Sequence, residues 1–141
     1  MLPTDRYVSE TTFHVRYAET DAMRIVHHSS YIVYFEEGRS AYTRDRGQDY
    51  ANFERNGLFL AVTEVNARYI KPATYGQRLT ICTWIENVKS RGIEFAYLIV
   101  DADTREKHVE GRTRHVCVDR EGRVRHIPDE WRVWAVDHKS Q

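Results

Sequence analysis

The sequence carries no excess of charge of either sign, almost no cysteine and no long apolar run. Its 21 basic and 21 acidic side chains cancel over 141 residues. That balance argues against a surface devoted to nucleic acid and leaves room only for a local basic patch facing a phosphorylated ligand. The two cysteines, Cys82 and Cys117, are far apart and form no C-x-x-C pair. A disulfide framework and a zinc site both lack support, and each thiol reads as a small buried residue. The longest apolar stretch, "FAYLIV" at 95–100, is far short of the roughly 20 residues that span a bilayer. The amino terminus "MLPTDRYVSE" contains acids and no apolar stretch, so it does not read as a secretion signal. These features predict a cytoplasmic protein that inserts in no membrane. The ordinary mix of 41% hydrophobic and 30% charged residues suits a single soluble domain over 1–141, long enough to bury a core without metals or disulfides.

Periodicity divides the chain in two. From Ser29 to about Arg46, the residues Tyr31, Tyr34, Phe35, Gly38, Ala41 and Tyr42 recur at steps of three and four, which is a helical stripe. Ser29 or Ser30 is a candidate cap for its start, and Gly47 a candidate stop. Gly38, in mid-helix, costs about 1 kcal/mol relative to alanine, so it implies a close approach to the sheet or to another chain. A short helical or turn segment follows at 49–57. Beyond it the period falls to two. Strands are predicted at 58–70, 78–88, 93–102 and 107–119, with an earlier one at 11–18. Their short connections favour antiparallel neighbours, "DREG" at 119–122 reads as a turn, and the tail 123–136 is ambiguous. The class is α+β, a sheet covering one main helix.

The chemistry concentrates in "ETDAMRIVHHSSY" (19–31). Asp21 falls in the loop before the helix, and His28 where the helix begins. Free N–H groups at a helix start can hold a developing oxyanion. Carboxylates are charged at neutral pH unless strongly desolvated, so Asp21 can attack a carbonyl or take a proton from water. A thioester suits this pair because its leaving thiol, with a pKa of about 8.5, departs without a strong general acid. The plainer reading makes Asp21 a turn former or cap.

The stretch "RYAETDAMRIVHHSSYIVYFEEGR" closely resembles the active-site segment of the acyl-CoA thioester hydrolases of the 4-hydroxybenzoyl-CoA thioesterase type. The likeness continues through "YIKPATYGQRLTI", "KSRGIEFAYLI" and "HVCVDREGRVRHIP" and covers roughly residues 11 to 128. The resemblance implies a hotdog fold: a curved antiparallel sheet of five or so strands wrapped around one long central helix, pairing into homodimers or homotetramers with active sites at the dimer interface. It implies that Asp21 is nucleophile or general base and that the His28 backbone N–H polarises the thioester carbonyl. No cofactor is implied beyond the coenzyme A of the substrate, and no metal.

One position departs from the pattern. Arg24 stands where the family usually has glycine, which puts the loop shape in question. Arg24 could narrow the acyl entrance, pair with Asp21 or Glu19, or contact a substrate carboxylate. Tyr31, one turn from His28, is a second candidate for substrate contact. Lys89, Ser90 and Arg91, in a turn rich in cations and open N–H groups, and more weakly Lys71, are candidates for the coenzyme A phosphates. The plainer reading of that turn is a solvated hairpin. Glu37 is the best second acid, with pairing to Arg44 or Arg39 as its plainer role. His27 and His28 are expected to diverge, without a third ligand for a metal. His14 and His115 read as ordinary strand residues. The alternatives to acyl-CoA hydrolysis are the same chemistry on an acyl carrier protein and a non-catalytic acyl-CoA-binding module.

Overall fold

A computed structural model describes residues 2–47 and 50–132. The chain runs β1 (Ser9–His14), a single 3-10 turn (Tyr17–Glu19), α1 (Ser30–Asp45), α2 (Tyr50–Arg55), β2 (Leu58–Tyr69), β3 (Arg78–Val88), β4 (Gly92–Asp101), β5 (Lys107–Asp119) and α3 (Asp129–Arg132). The strands form one antiparallel sheet in the order β1-β3-β4-β5-β2. Register breaks at Val62/Glu64, Ile85/Asn87 and Ile99/Val100 are the irregularities that bend such a sheet.

All six residues of the predicted helical stripe are buried, and α1 lies against β1, β3 and β4. Gly38 explains how closely. A Cβ there would collide with the Thr83 hydroxyl and come within 2.9 Å of the Ile81 side chain, so the close approach is to the sheet. Beneath the helix the Phe35 ring stacks on Tyr97 at 4.3 Å and presses onto the bare backbone of Gly111. Gly47, at φ +80°, ends the helix, as its conformational freedom allows. Cys82 and Cys117 are fully buried.

Three expectations need correction. The first strand stops at His14, not at residue 18. The Glu19 carboxylate accepts the Arg16 N–H at 2.9 Å, and that local bond curls 17–19 into a 3-10 turn. Neither serine hydroxyl caps α1: Ser29 sits at the cap position without such a bond, since its Oγ pairs with His27 Nδ1 at 2.8 Å. The Ser30 hydroxyl donates to the Glu19 carbonyl at 3.2 Å. Finally, His27 and His28 do not diverge; their rings stack at 4.2 Å, because both lie in the loop before the helix. The ambiguous tail forms α3 at 129–132, and residues 133–136 lie outside the described residues.

Candidate active site

Residues 20–26 form a small hairpin between the 3-10 turn and α1. Thr20 bridges Val26, the Asp21 N–H donates to the Ile25 carbonyl at 2.9 Å and the Arg24 N–H to the Asp21 carbonyl at 2.9 Å. Asp21 Oδ1 accepts the Met23 N–H at 2.8 Å, so Asp21 is also the turn former of the plainer reading. Its second oxygen has no partner among the described residues. Arg24 adopts φ +65°. The arginine therefore holds the left-handed geometry that a glycine would adopt freely, and the loop shape survives the substitution at a cost of roughly 1–2 kcal/mol. Arg24 makes no ion pair with Asp21 or Glu19 among the described interactions. One Asp21 oxygen is taken by its own turn, and the Glu19 carboxylate by Arg16 and Tyr34.

The hairpin docks on residues 70–77, the link between β2 and β3. Ile25 bridges Thr74, the Val26 N–H donates to the Ala73 carbonyl at 2.9 Å and the Tyr75 N–H to the Arg24 carbonyl at 3.3 Å. That link is fixed in turn by buried His108. Its carbonyl accepts the Ile70 and Lys71 N–H groups, and its Nδ1 lies 3.0 Å from the Lys71 carbonyl. A carbonyl only accepts, so Nδ1 carries the proton and Nε2 accepts from Gln77 Nε2 at 3.1 Å. The same amide donates to Asp101 at 2.8 Å, while Gln77 Oε1 accepts the Thr74 N–H at 3.0 Å.

Between hairpin and link lies a cleft of about 300 Å³. Asp21, Ile25, Val26, His28 and Tyr31 line one side; Tyr69, Ile70, Lys71 and Pro72 line the other. The Tyr69 hydroxyl donates to the His28 carbonyl at 3.1 Å, and its ring meets that of Tyr31 at 5.5 Å. Burial raises the Tyr31 phenol above its ordinary pKa, so it enters the cleft as a neutral hydroxyl. The His28 N–H finds no acceptor among the described residues; it lies in the loop just before the Ser29 cap position, near the positive end of the α1 dipole. One wall thus includes both Asp21 and the residue with the unpartnered N–H, and the rest of the lining is largely apolar.

The structure brings Asp21, His28, Tyr31 and Lys71 together. Lys71 points its ammonium at Glu106, 2.7 Å away. Arg24 lies on the hairpin but does not line the cleft. Lys89, Ser90 and Arg91 are elsewhere, in the β3–β4 turn closed by a bond from the Lys89 N–H to the Gly92 carbonyl. Lys89 borders a separate hollow with Thr63, Arg114 and His115. Gly92 pairs with Val116, and Tyr69 with Val109, on β5, which separates that turn from the cleft by about 20 Å at ~3.3 Å per residue. The chain alone does not join the two. Glu37 pairs with Arg44 at 3.2 Å, both half-exposed, and lies outside the cleft. Sequence reasoning missed Tyr69, Ile70 and Pro72 as cleft residues and had only Lys71 of that wall; the one further signal was an aromatic followed by a Lys-Pro turn at a strand end. Burial pushes the Cys82 thiol up to about 11 and raises Cys117, so neither supplies a thiolate. Among the described residues no three His, Cys, Asp or Glu side chains converge to hold a metal.

Residues 15–135 match the model of the thioesterase-like superfamily. The chain belongs to this superfamily. Its relatives include YneP of Bacillus subtilis, provisionally named an acyl-CoA thioesterase, at 37% identity over 82% of this chain and 83% of that protein. The acyl-CoA thioester hydrolase YbgC of Escherichia coli is 28% identical over 74% of this chain and 78% of its own. Among solved structures, a hypothetical protein of Thermus thermophilus superposes with a TM-score of 0.83 at 36% identity, covering 91% of this chain and 98% of the other. The DHNA-CoA thioesterase of Staphylococcus aureus reaches 0.86 at 26% identity over 95% of each. The hotdog-like, α+β architecture implied by the resemblance is thus the one observed. In this thioesterase-like chain the matched region contains both the Asp21 hairpin and the start of α1.

Proposed function

We propose that this chain hydrolyses an acyl-CoA thioester to the free acid and coenzyme A. The observation that carries the reading is that Asp21 and His28 line the same small, mostly apolar cleft, with the His28 N–H unpartnered among the described residues. The thioester carbonyl enters with its oxygen on the His28 N–H, where the donor strengthens as negative charge grows. Asp21, through the oxygen free of the Met23 bond, takes a proton from water as it attacks the carbonyl carbon, or attacks that carbon itself and is released by water. In either route the C–S bond breaks and the thiolate leaves. The acid and the thiol together account for the water consumed. The names of YneP and YbgC and of the Staphylococcus neighbour support a coenzyme A thioester as substrate.

The reading includes a homodimer. Among the described residues β2 forms an unpaired sheet edge that carries Phe59, Val62, Val65 and Tyr69 exposed, with Ile70 just beyond it, and such an edge is a template for pairing. Antiparallel pairing of β2 with its copy would carry the partner's end of the sheet, with the turn at Lys89–Arg91, towards the cleft, where its cations would meet the coenzyme A phosphates. Arg24, without an ion-pair partner among the described residues, faces substrate from the rim in this reading.

Thiol release from short, long and aromatic acyl-CoAs, and from an acyl carrier protein thioester, tests the proposal, with Asp21→Asn in parallel. Turnover of at least one acyl-CoA and a 10²–10⁴-fold lower kcat in Asp21→Asn are expected. Binding of acyl-CoA without thiol release would establish the non-catalytic reading instead.

A further inference from the structure

Asp21 and the His28 N–H are seven residues apart, and their separation decides whether an attacking oxygen and a carbonyl meet. One residue outside the cleft ties both ends of the intervening hairpin. The Glu19 carbonyl accepts the His27 N–H at 2.9 Å and the Ser30 hydroxyl at 3.2 Å, holding the segment that presents the His28 N–H. Its carboxylate, two residues before Asp21, reaches the other way. Oε1 accepts the Arg16 N–H at 2.9 Å and the Tyr34 hydroxyl at 2.8 Å. Oε2 accepts Arg16 Nε at 2.8 Å and Nη2 at 2.6 Å. Tyr34 is 4% exposed, one turn into α1, and the Glu19 side chain is 12% exposed.

From this geometry we infer that Glu19 is a positioning residue for the reaction, through which the buried Tyr34 hydroxyl sets the register of the Asp21 hairpin against the start of α1. The inference rests on the reading of Asp21 and His28 given above. Hydrogen bonds to a charged acceptor are among the stronger ones in proteins, and Tyr34 is buried in the core on α1 against the Phe13 and Tyr31 rings, so the carboxylate is tied to a packed element. Burial opposes ionisation of Glu19, but its bonds from Arg16 and Tyr34 outweigh burial and keep it below the usual carboxylate range. The clamp is therefore fully formed at neutral pH. The other flank of the hairpin rests on the 70–77 link through Arg24, Ile25 and Val26, by bonds that involve neither His27 nor Ser30 among the described interactions.

Tyr34→Phe removes only the hydroxyl, and Glu19→Gln removes the charge at constant size. Both are assayed in the full chain with its best acyl-CoA, after melting curves establish that each is folded at the assay temperature. A positioning role lowers kcat by about 10-fold or more, since displacement of ~1 Å can cost 10²-fold, while KM stays within about twofold. The double variant is no slower than Glu19→Gln alone, because both changes remove one linkage. Placed on Asp21→Asn, Glu19→Gln adds nothing, there being no carboxylate left to position. Folded variants with wild-type kcat overturn the inference, as does a full extra loss on the Asp21→Asn background. If Glu19→Gln does not fold, Tyr34→Phe decides alone. If Asp21→Asn itself turns over normally, the reading of the site fails, whatever Glu19 does.

Discussion

Replacing Arg24 with glycine should make this protein more stable. Arg24 holds φ +65°, a conformation that costs an L-residue roughly 1–2 kcal/mol through the approach of Cβ to its own carbonyl. Glycine has no such cost, but it adds freedom to the unfolded chain that lowers stability by about 0.4–1 kcal/mol. The difference leaves a gain of about 0.5–1 kcal/mol, equivalent to a Tm rise of about 2–4 °C for a chain of this size. No internal ion pair of Arg24 is lost among the described interactions, so nothing opposes the gain. Arg24→Ala is the control, because alanine keeps the strained Cβ and should gain nothing. Gly76, at φ +81° in the neighbouring link with open space around it, supplies the converse: Gly76→Ala should lose about 1 kcal/mol for the same reason. Melting curves on the four proteins check the set. An Arg24→Gly protein no more stable than Arg24→Ala would refute the strain argument. If Arg24 faces substrate as proposed, the stabilised variant will also show a higher KM for acyl-CoA with an unchanged kcat.

Stability should fall on mild acidification. Burial, assisted by the nearby Arg39 charge, pushes the pKa of His115 down to about 3, whereas an unfolded histidine takes its proton near 6.5. Between these values the unfolded chain binds more protons, so stability is complete above pH ~6.5 and has dropped by about 2 kcal/mol at pH ~5. His115→Gln should flatten the pH 5–6.5 portion of a Tm profile and leave the steeper loss below pH ~4, where Glu19 and Asp119, both held below the usual carboxylate range, are protonated on unfolding. Gly38→Ala should destabilise by about 1–2 kcal/mol in denaturant titration, since overpacking against Thr83 and Ile81 exceeds the ~1 kcal/mol that alanine adds to a helix. Val65→Asp, on the exposed edge of β2, should yield a monomer by light scattering with at least 10-fold less thiol release.

The helix and the strands were legible because each depends on a local period. Tyr31 to Tyr42 recur at helical steps, and β3 and β5 begin and end where the apolar and β-branched runs do. Asp21 and His28 were legible because their loop is continuous in sequence. The second wall of the cleft was not: Tyr69 and Pro72 come from about forty residues downstream, and no local period says which strand end meets a hairpin. The serines misled for a related reason. A hydroxyl before a helix is a good cap in isolation, but here a longer-range acceptor, the Glu19 carbonyl, claims one and the His27 ring claims the other. The Lys89–Arg91 segment was legible as a short connection between strands, but its distance from Asp21, on which a coenzyme A role depends, is set by strand register.

Gly38 and Gly111 together decide where an acyl chain cannot go. By letting α1 settle onto β3 and letting the Phe35 ring touch the sheet backbone, they leave no room between helix and sheet at those two points. In the proposed homodimer the depth of the acyl compartment would then not be a property of one polypeptide. Chain-length preference would belong to the seam between two copies, free to drift through surface substitutions along it while the interior stays unchanged.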